Sequence, residues 1–440
     1  MMALGLQVSA IAITELPSLS EPIHDLIVVG GGPAGFMAAI TAAEAGLGSV
    51  LLLEATSEPL TKVRLSGGGR CNVTHACWDP HDLVTYYPRG TRPLRGPFSR
   101  FATGDAVAWF AERGMDLVEE PDGRMFPEAN CSSAVVDCLR NTASAAGVIC
   151  QLQANVQAVD HNKSGGFTVR CRGGSCLHAQ RVLLATGGHP SGRRLAVGLG
   201  HQLVPPVPSL FTLALDAPAL AVCSGLAVDD VQLMLNAGGE RFKQTGRVLL
   251  THWGISGPAT LRLTAFAARA LHADRYRGEL IVNWTRYASR QDAQDCLGEL
   301  RRRQARRTLG AARPFPEMPR RLWLALLDQV GAKSDQRWAD CPAALERRLL
   351  EALVASRYLI RGRGPFGEEF VTAGGVALGE VNLATMESRV CSGLHLVGEL
   401  LDVDGLTGGF NFQHCWTSGW LAGHAIAKSL NSSNRCCQKH

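Results

Sequence analysis

The sequence contains no apolar run of about 18 residues, the length that a helix needs to cross a bilayer. Charge is also scarce, because charged residues make up only 19% of the 440 positions and the formal net charge is +5. So weak a basic balance favours anionic ligands in general and does not indicate nucleic acid. We therefore expect no membrane span and a small-molecule substrate in preference to a nucleic-acid partner.

The sequence also lacks the signs of a secreted protein. Its 14 cysteines are scattered along the chain and do not form the dense framework of a small disulfide-rich domain. Residues 1–24 have no basic start, and Pro17 and Pro22 interrupt them, so this extension is a poor signal peptide. We therefore expect reduced thiols and a cytoplasmic location.

Several catalytic and architectural signatures are missing as well. No Gly-x-Ser-x-Gly elbow follows a strand-like run, which argues against a serine hydrolase. His75, Cys77 and His81 are close in sequence, but no second ligand pair completes a zinc site, so we expect no metal. No repeat period of a solenoid or propeller is present.

The strongest positive signal is a glycine-rich turn between two predicted elements. Leu26–Val29 is typical of a buried strand, a helix is predicted over Phe36–Ala45, and a second apolar run, Val50–Leu53, ends at Glu54. In a βαβ unit of this kind, the glycines allow a tight turn, close approach of a pyrophosphate and close helix packing, while the carboxylate accepts from a ribose hydroxyl. The glycines with this spacing are Gly30, Gly32 and Gly35.

The length predicts two or three domains. Pro205, Pro206 and Pro208 precede a series of short strand-like runs, residues 288–355 have helical character, and the glycine density rises again from about residue 365. The expected units are an N-terminal extension (1–23), the first part of a dinucleotide-binding domain (24–203), an inserted β-rich domain (204–286), a helical domain (287–355), the return to the first domain (356–430) and a C-terminal tail (431–440).

The helical domain carries a basic run, RRRQARR, at 301–307. A solvated helix face is the favoured interpretation, and a nucleic-acid or membrane contact is the alternative.

Three later features favour FAD over NAD as the resident dinucleotide. ATG at 185–187 and VGELLDVDG at 397–405 resemble nucleotide and ribitol contact motifs of flavoproteins with two dinucleotide-binding domains. TGGFNFQ at 407–413 opens a predicted helix whose N-terminus could face the pyrophosphate or the flavin ring. An enzyme that binds only NAD does not need this C-terminal return.

Longer motifs make the resemblance specific. SGGGRCNVTH at 66–75, VTAGGVAL at 371–378, EVNLATMESR at 380–389 and the segment 398–423 resemble the aminoacetone-oxidase-like (BaiN/YhiN-like) family of FAD-dependent oxidoreductases. The resemblance covers about residues 24–428. It implies an α/β fold with a discontinuous Rossmann-like FAD-binding domain, an inserted β-barrel-like domain and a small helical domain.

The resemblance also implies which residues bind FAD. The pyrophosphate, the adenosine ribose and the adenine side would be contacted by the glycine turn, Glu54, Val156 and the 185–187 segment, and the flavin side by the 67–71 loop and the C-terminal motifs. The complete set is Gly30, Gly32, Pro33, Ala34, Gly35, Glu54, Gly67, Gly68, Arg70, Cys71, Val156, Ala185, Thr186, Gly187, Gly398, Glu399, Asp402, Gly408, Gly409, Phe410, Asn411 and Gln413. Which of the carboxylates Glu399, Asp402 and Asp404 contacts the cofactor stays open.

Two further candidates are weighed against structural roles. His414 could exchange a proton near the flavin, but a buried core histidine is favoured. Cys71 and Cys77 could form a redox dithiol, but their spacing on a helix turns the second sulfur away from the first, so two structural thiols are favoured. No catalytic residue is assigned.

The expected function is flavin-mediated hydride transfer on a small organic substrate. No second complete Gly-x-Gly-x-x-Gly follows a strand, so NADPH or NADH, if used, would bind transiently over the flavin. The alternatives are an oxidase of a small amine or hydroxyl compound, a flavin-carrying binding or assembly protein without turnover, and, more remotely, an RNA-modifying flavoenzyme.

Overall fold

The computed structural model describes residues 23–286, 289–364 and 371–437, without the side chains of 433–437. The predicted N-terminal extension up to residue 22 and the end of the predicted tail, 438–440, lie outside the described residues. The strands are β1 (Ile23–Val29), β2 (Val50–Leu53), β3 (Thr74–His75), β4 (Leu117–Glu119), β5 (Arg124–Pro127), β6 (Ile149–Gln151), β7 (Val156–His161), β8 (Phe167–Cys171), β9 (Cys176–Leu184), β10 (Leu203–Ser209), β11 (Leu213–Asp216), β12 (Ala227–Ala237), β13 (Glu240–Thr251), β14 (Gly254–Ser256), β15 (Gly278–Asn283), β16 (Ser356–Arg363), β17 (Val371–Val376), β18 (Val381–Asn382), β19 (Glu387–Ser388) and β20 (Leu394–Leu396). The helices are α1 (Pro33–Glu44), α2 (Thr61–Leu65), α3 (Pro80–Leu83), α4 (Arg95–Phe98), α5 (Thr103–Ala111), α6 (Ser132–Ala145), α7 (Pro190–Gly198), α8 (Pro218–Ala221), α9 (Pro258–Phe266), α10 (Ala268–Ala273), α11 (Arg290–Arg303), α12 (Arg320–Gln329), α13 (Ala343–Val354) and α14 (Phe410–Cys437).

The central sheet has parallel strands in the order β6, β2, β1, β9, β20. Every residue of β2 is buried, as are the last four residues of β1, because helices cover both faces of a parallel sheet. The chain runs from β1 through α1 to β2 on one side and continues from β9 to β20 on the other, so its direction across the sheet reverses between β1 and β9. The predicted βαβ unit is confirmed, with α1 beginning at Pro33 instead of Phe36.

The first and last helices pack against each other at very short range. A Cβ atom on Gly419 would lie 2.6 Å from the carbonyl oxygen of Ala34, and one on Gly423 would lie 2.7 Å from that of Ala38. Only glycine allows α14 to approach the backbone of α1 so closely. The sequence analysis had not assigned this role to either glycine.

The inserted unit is a closed barrel with the strand order β11, β14, β13, β12, β15, β16. The prediction that the return to the first domain begins at residue 356 was wrong at Ser356–Arg363, because this strand pairs antiparallel with β11 and β15 and closes the barrel. Alternate buried side chains of β16, including Tyr358 and Ile360, point into the same core as α11, α12 and α13. The barrel and the helical segment therefore share one hydrophobic core.

A two-stranded ribbon connects the two parts of the molecule. β10 carries the chain towards the barrel and pairs antiparallel with β17, which carries it back. The α/β fold class, with a discontinuous Rossmann-like domain and an inserted barrel, is confirmed. Within the described ranges, no helix is both long and apolar enough to cross a membrane.

Candidate active site

The candidate site is the crevice at the carboxyl ends of β1 and β9, where the direction of the chain across the sheet reverses. In open α/β sheets, ligands bind at such a point. The turn Gly30–Gly35 follows β1, and Ala185–Gly187 follows β9. The two segments touch, since a Cβ atom on Gly30 would lie 2.6 Å from the carbonyl oxygen of Ala185.

The first turn of α1 begins at this crevice without a side-chain cap. Its N-cap, Gly32, is extended and makes no side-chain capping bond, and Pro33 occupies the first helical position. The N-cap residue therefore supplies no side-chain acceptor to the N–H groups of this turn, and helix N-termini of this kind can bind phosphate. Only glycine fits at position 35, where α1 packs against the turn, because a Cβ atom there would lie 2.1 Å from the carbonyl oxygen of Gly30.

Glu54 is held in place beside the glycine turn. One carboxylate oxygen accepts from the N–H of Gly31 at 2.8 Å, and the other accepts from the N–H and the hydroxyl of Thr56, each at 2.8 Å. These contacts fix the orientation of the carboxylate at the end of β2. Its predicted bond to the adenosine ribose stays a prediction, as does the contact of the buried Val156 at the start of β7.

Three successive glycines form an exposed loop after α2. Gly67, Gly68 and Gly69 have φ values of +57°, +68° and +86°, a left-handed run that residues with a Cβ atom rarely adopt. The guanidinium of Arg70 donates to Glu120 at 2.7 Å and stacks over Phe126 at 4.0 Å. The predicted contact of Arg70 with the cofactor stays a prediction.

The C-terminal motif contacts β3, which follows this loop in the sequence. A Cβ atom on Gly409 would lie 2.5 Å from the carbonyl of Thr74, and Nδ1 of His75 lies 3.1 Å from the carbonyl oxygen of Gly408. Gly398 lies against α1, since a Cβ atom there would be 3.0 Å from that of Ala34. The fold therefore brings together the glycine turn, the 67–75 segment and the C-terminal motif.

Three predicted residues of the C-terminal motif serve to hold its loops. The side chain of Asn411 accepts from the N–H of Gly405 at 2.8 Å and donates to its carbonyl at 2.9 Å. The buried Gln413 accepts from the hydroxyl of Thr74 at 2.6 Å. Phe410 stacks on Tyr86 with a centroid distance of 4.2 Å. Direct contacts of these side chains with a cofactor stay predictions.

The two aspartates of the motif bind arginines. Asp402 accepts from Arg269 of α10 through both carboxylate oxygens at 2.7 Å. Asp404, 1% exposed, forms a bidentate pair with Arg89 and also accepts from the hydroxyl of Ser209 at 2.8 Å. Both aspartates are thus held by guanidinium groups, and their predicted contacts with the cofactor stay predictions.

Glu399 and Lys62 meet across the crevice. Nζ of Lys62 lies 2.6 Å from Oε2 of Glu399, and both atoms would lie within 4 Å of a Cβ atom on Gly187. The hydroxyl oxygen of Thr186 is buried and has no hydrogen-bond partner in the described part of the chain, but it lies against α7, where a Cβ atom on Gly192 would be 1.6 Å from it. A cation and a carboxylate thus meet beside Gly187.

The thiol candidates have the wrong protonation state for redox work. Cys71 and Cys77 are both free, and burial raises the pKa of each thiol to about 11. They are therefore protonated at neutral pH, whereas a reactive cysteine needs its thiolate. The interpretation of two structural thiols is favoured.

His414 lies in the core, 2% exposed, and neither ring nitrogen has a hydrogen-bond partner among the described residues. Burial lowers its pKa from 6.5 to about 4, so the imidazole is neutral at pH 7. A neutral, enclosed ring is a poor proton donor to a substrate, which supports a core role.

Acid should therefore destabilise the protein through His414. Between pH 6.5 and pH 4 the unfolded chain binds a proton that the folded chain does not, so stability falls as the pH falls, by about 3 kcal/mol in total. We expect His414→Gln to remove most of this loss when urea unfolding is compared at pH 7 and pH 4.5. His81→Gln, at an exposed position, is the control and should leave the loss unchanged.

Several functional neighbours were missed or unassigned in the sequence analysis. Lys62, Arg89 and Arg269 have no local signal, because their partners lie 337, 315 and 133 residues away in the sequence. Ser418 binds the N–H of Gly398 at 3.0 Å. Only the spacing of Ser418, one helical turn after His414, could have suggested that it faces the same loop.

Two other features of the surface lie apart from the crevice. In the basic run, Arg301 pairs with Glu346 at 2.6 Å and Arg303 with Glu299 at 2.5 Å, so these arginines bind within the protein. An open groove of about 750 Å³ is lined by Arg100, Arg389 and apolar residues, and none of its lining residues belongs to the glycine loops. No cluster of potential metal ligands occurs among the residues that the structure describes.

Comparison with known proteins identifies the family. The HI0933-like protein Rossmann domain matches residues 24–425. The chain belongs to this family. The family predicted from the sequence motifs is thereby confirmed, and the protein is an FAD-dependent oxidoreductase.

Two relatives match almost end to end. A 3-dehydro-bile acid delta(4,6)-reductase of Clostridium scindens is 29% identical, over 91% of this chain and 98% of the relative. A ribosomal RNA dihydrouridine synthase of Escherichia coli is 28% identical, over 93% and 99%. A 3-ketosteroid-delta4-(5alpha)-dehydrogenase from Rhodococcus jostii has a similar structure, with a TM-score of 0.49, 17% identity and coverage of 93% and 98%. The last similarity is too low to bear on substrate or mechanism.

The residues of the crevice fit FAD. The uncapped N-terminus of α1 matches a pyrophosphate, and the exposed left-handed glycines allow a flat ring to approach the backbone. The carboxylate of Glu399 matches the hydroxyl-rich chain between phosphate and ring. These features occur together on one side of the sheet.

Proposed function

We propose that the protein reduces a carbon–carbon double bond conjugated with a carbonyl group, with FAD as hydride carrier and NAD(P)H as a transient donor. This proposal rests on the reactions that the names of the two relatives describe, which are of the same type. A delta(4,6)-reductase of a 3-dehydro steroid acid and a dihydrouridine synthase both saturate a ring double bond next to a carbonyl. The two substrates differ in size and polarity, so the bond, and not the molecule, is what the relatives have in common.

The proposed roles of the chain follow from the crevice. Bound FAD supplies a carrier for a hydride. The N–H groups at the start of α1 would bind its pyrophosphate, and Glu54 would accept from the adenosine ribose. The Gly67–Gly69 loop would let its backbone approach the ring, with the Gly408–Gly409 turn on the adjoining side. No residue is assigned as proton donor.

A transient nicotinamide donor is supported by the single dinucleotide fingerprint in the sequence. A protein that held both nucleotides at once would need a second phosphate-binding turn, and no second complete Gly-x-Gly-x-x-Gly follows a strand. NADPH or NADH would then bind and leave before the substrate enters.

The test is anaerobic flavin spectroscopy of the purified protein. We expect NADPH or NADH to bleach the bound flavin, and a conjugated enone, but not its saturated ketone, to restore the oxidised spectrum. Reduction only by small amines or alcohols, with reoxidation by oxygen, would instead indicate an oxidase. A flavin that no donor reduces would contradict turnover altogether.

A second set of assays tests which of the two relatives' substrate classes this protein reduces. A 3-oxo-4,6-diene steroid acid and a uracil-containing ribosomal RNA are each offered to the reduced flavin. Reoxidation by the steroid acid alone supports a small-molecule substrate, and reoxidation by RNA alone supports the RNA-modifying alternative. The saturated steroid acid and RNA with its uracils already reduced are the matched negative controls.

A further inference from the structure

The Lys62–Glu399 pair spans the crevice. Lys62 lies on α2, which follows β2, and Glu399 follows β20, so the two side chains come from opposite flanks of β1 and β9. Their contact of 2.6 Å closes over the end of β9, where Gly187 lies beneath both charged groups. A molecule that extended from the glycine turn over Gly187 would meet this pair.

The pair is well placed for exchange. The Lys62 side chain is 67% exposed and that of Glu399 is 25% exposed, and ion pairs that reach water in this way contribute little to stability. The Glu399 carboxylate raises the pKa of Lys62 even though burial alone would lower it, so the ammonium stays charged. A second anion that reached Nζ of Lys62 could replace Glu399 as its ion-pair partner.

Lys62 is also tied directly to the phosphate-binding turn. The N-cap residue of α2 is Leu60, whose N–H donates to the carbonyl oxygen of Gly31 at 2.9 Å. Lys62 is therefore only two residues from Leu60, which is hydrogen-bonded to the glycine turn. The N-terminus of α1 and the ammonium of Lys62 approach the crevice from neighbouring positions, and together they suit a ligand with two phosphates.

We propose that Lys62 is a cofactor-phosphate ligand that Glu399 holds in position until FAD binds. On binding, Nζ of Lys62 moves from Glu399 to a pyrophosphate oxygen, and the released carboxylate accepts from a hydroxyl of the ribityl chain. The exchange changes only ion pairs and hydrogen bonds, and no covalent bond is made or broken. The inference rests on FAD as the cofactor and is independent of the substrate and of the electron donor.

The test measures binding of ligand fragments to the full-length apoprotein by calorimetry. We expect Lys62→Gln to weaken binding of FAD and of ADP about 10- to 100-fold, the effect of one lost charge-assisted hydrogen bond, and to keep or improve riboflavin binding, because Glu399 is then released. Lys62→Arg should retain most of the FAD affinity. Arg64→Gln, which removes an exposed cation from the same helix, is the matched control and should bind all three ligands like the wild type.

Glu399→Gln provides the opposite signature. It should keep or improve ADP binding, because Lys62 is released, and weaken riboflavin binding, because the ribityl acceptor loses its charge. If Lys62→Gln bound FAD and ADP as tightly as the wild type does, the proposal would be overturned. So would an equal loss for riboflavin, which would indicate a general disturbance of the crevice. None of these measurements involves turnover, so failure of the proposed enone reduction would leave them interpretable.

Discussion

Replacing Asp404 with asparagine is expected to lower the free energy of unfolding by about 3–5 kcal/mol, the usual cost of leaving a buried charge without its partner. Asp404 is 1% exposed and the side chain of Arg89 only 10% exposed. Arg89 also donates to the carbonyl oxygen of Ala265 at 2.6 Å, so it cannot swing into water without breaking a second contact. Asparagine has nearly the same volume as aspartate but lacks the negative charge that pairs with the Arg89 guanidinium.

Urea unfolding followed by tryptophan fluorescence measures the loss. Glu351→Gln is the control, because it breaks the exposed pair between Glu351 and Arg290 and should cost no more than about 1 kcal/mol. The double variant Arg89→Met, Asp404→Leu should recover much of the stability, since both charges are then absent. Equal effects of Asp404→Asn and Glu351→Gln would show that the pair between Asp404 and Arg89 is not a stabilising contact.

Replacing Gly35 with alanine is expected to weaken FAD binding by about 100-fold or more. The new Cβ atom would lie 2.1 Å from the carbonyl oxygen of Gly30 and 3.2 Å from the Cβ of Ala185, so α1 must move away from the turn. Loss of even two phosphate hydrogen bonds of about 1.5 kcal/mol each gives this factor. The measurement is the dissociation constant of FAD from the refolded apoprotein.

The matched control is Gly104→Ala on α5. A Cβ atom at Gly104 would have no neighbour within 4 Å, so the same change should leave FAD binding intact and slightly stabilise the helix. If Gly35→Ala bound FAD as tightly as Gly104→Ala, close packing between the turn and α1 would not be needed for cofactor binding.

The features that the sequence predicted correctly are local. Strand, glycine turn, helix and Glu54 lie within about thirty residues, and their spacing reflects contacts along one stretch of chain. Strand Ser356–Arg363 was placed in the wrong unit because its barrel partners, β11 and β15, come long before it in sequence, and alternating side chains fit either sheet. Hydrophobic pattern predicts a strand but not which neighbour it joins.

The same reasoning explains the carboxylates. Asp402, Asp404 and Glu399 occur within six residues on a glycine-containing segment, and nothing in their spacing distinguishes them. Their partners separate them: Arg269 and Arg89 bind the two aspartates, and Lys62, 337 residues from Glu399, binds the glutamate. Long-range charge pairs of this kind become visible only when the chain is folded.

The packing of α14 on α1 affects the order in which the molecule can fold during synthesis. Gly419 contacts Ala34, 385 residues earlier, whereas the barrel and its helices form from one continuous stretch between β11 and β16. At about 5–20 residues per second, roughly 20–80 s separate the synthesis of the two contacting helices. The barrel can therefore be complete while α1 still exposes the backbone groove that α14 will cover, and the cofactor crevice is finished last.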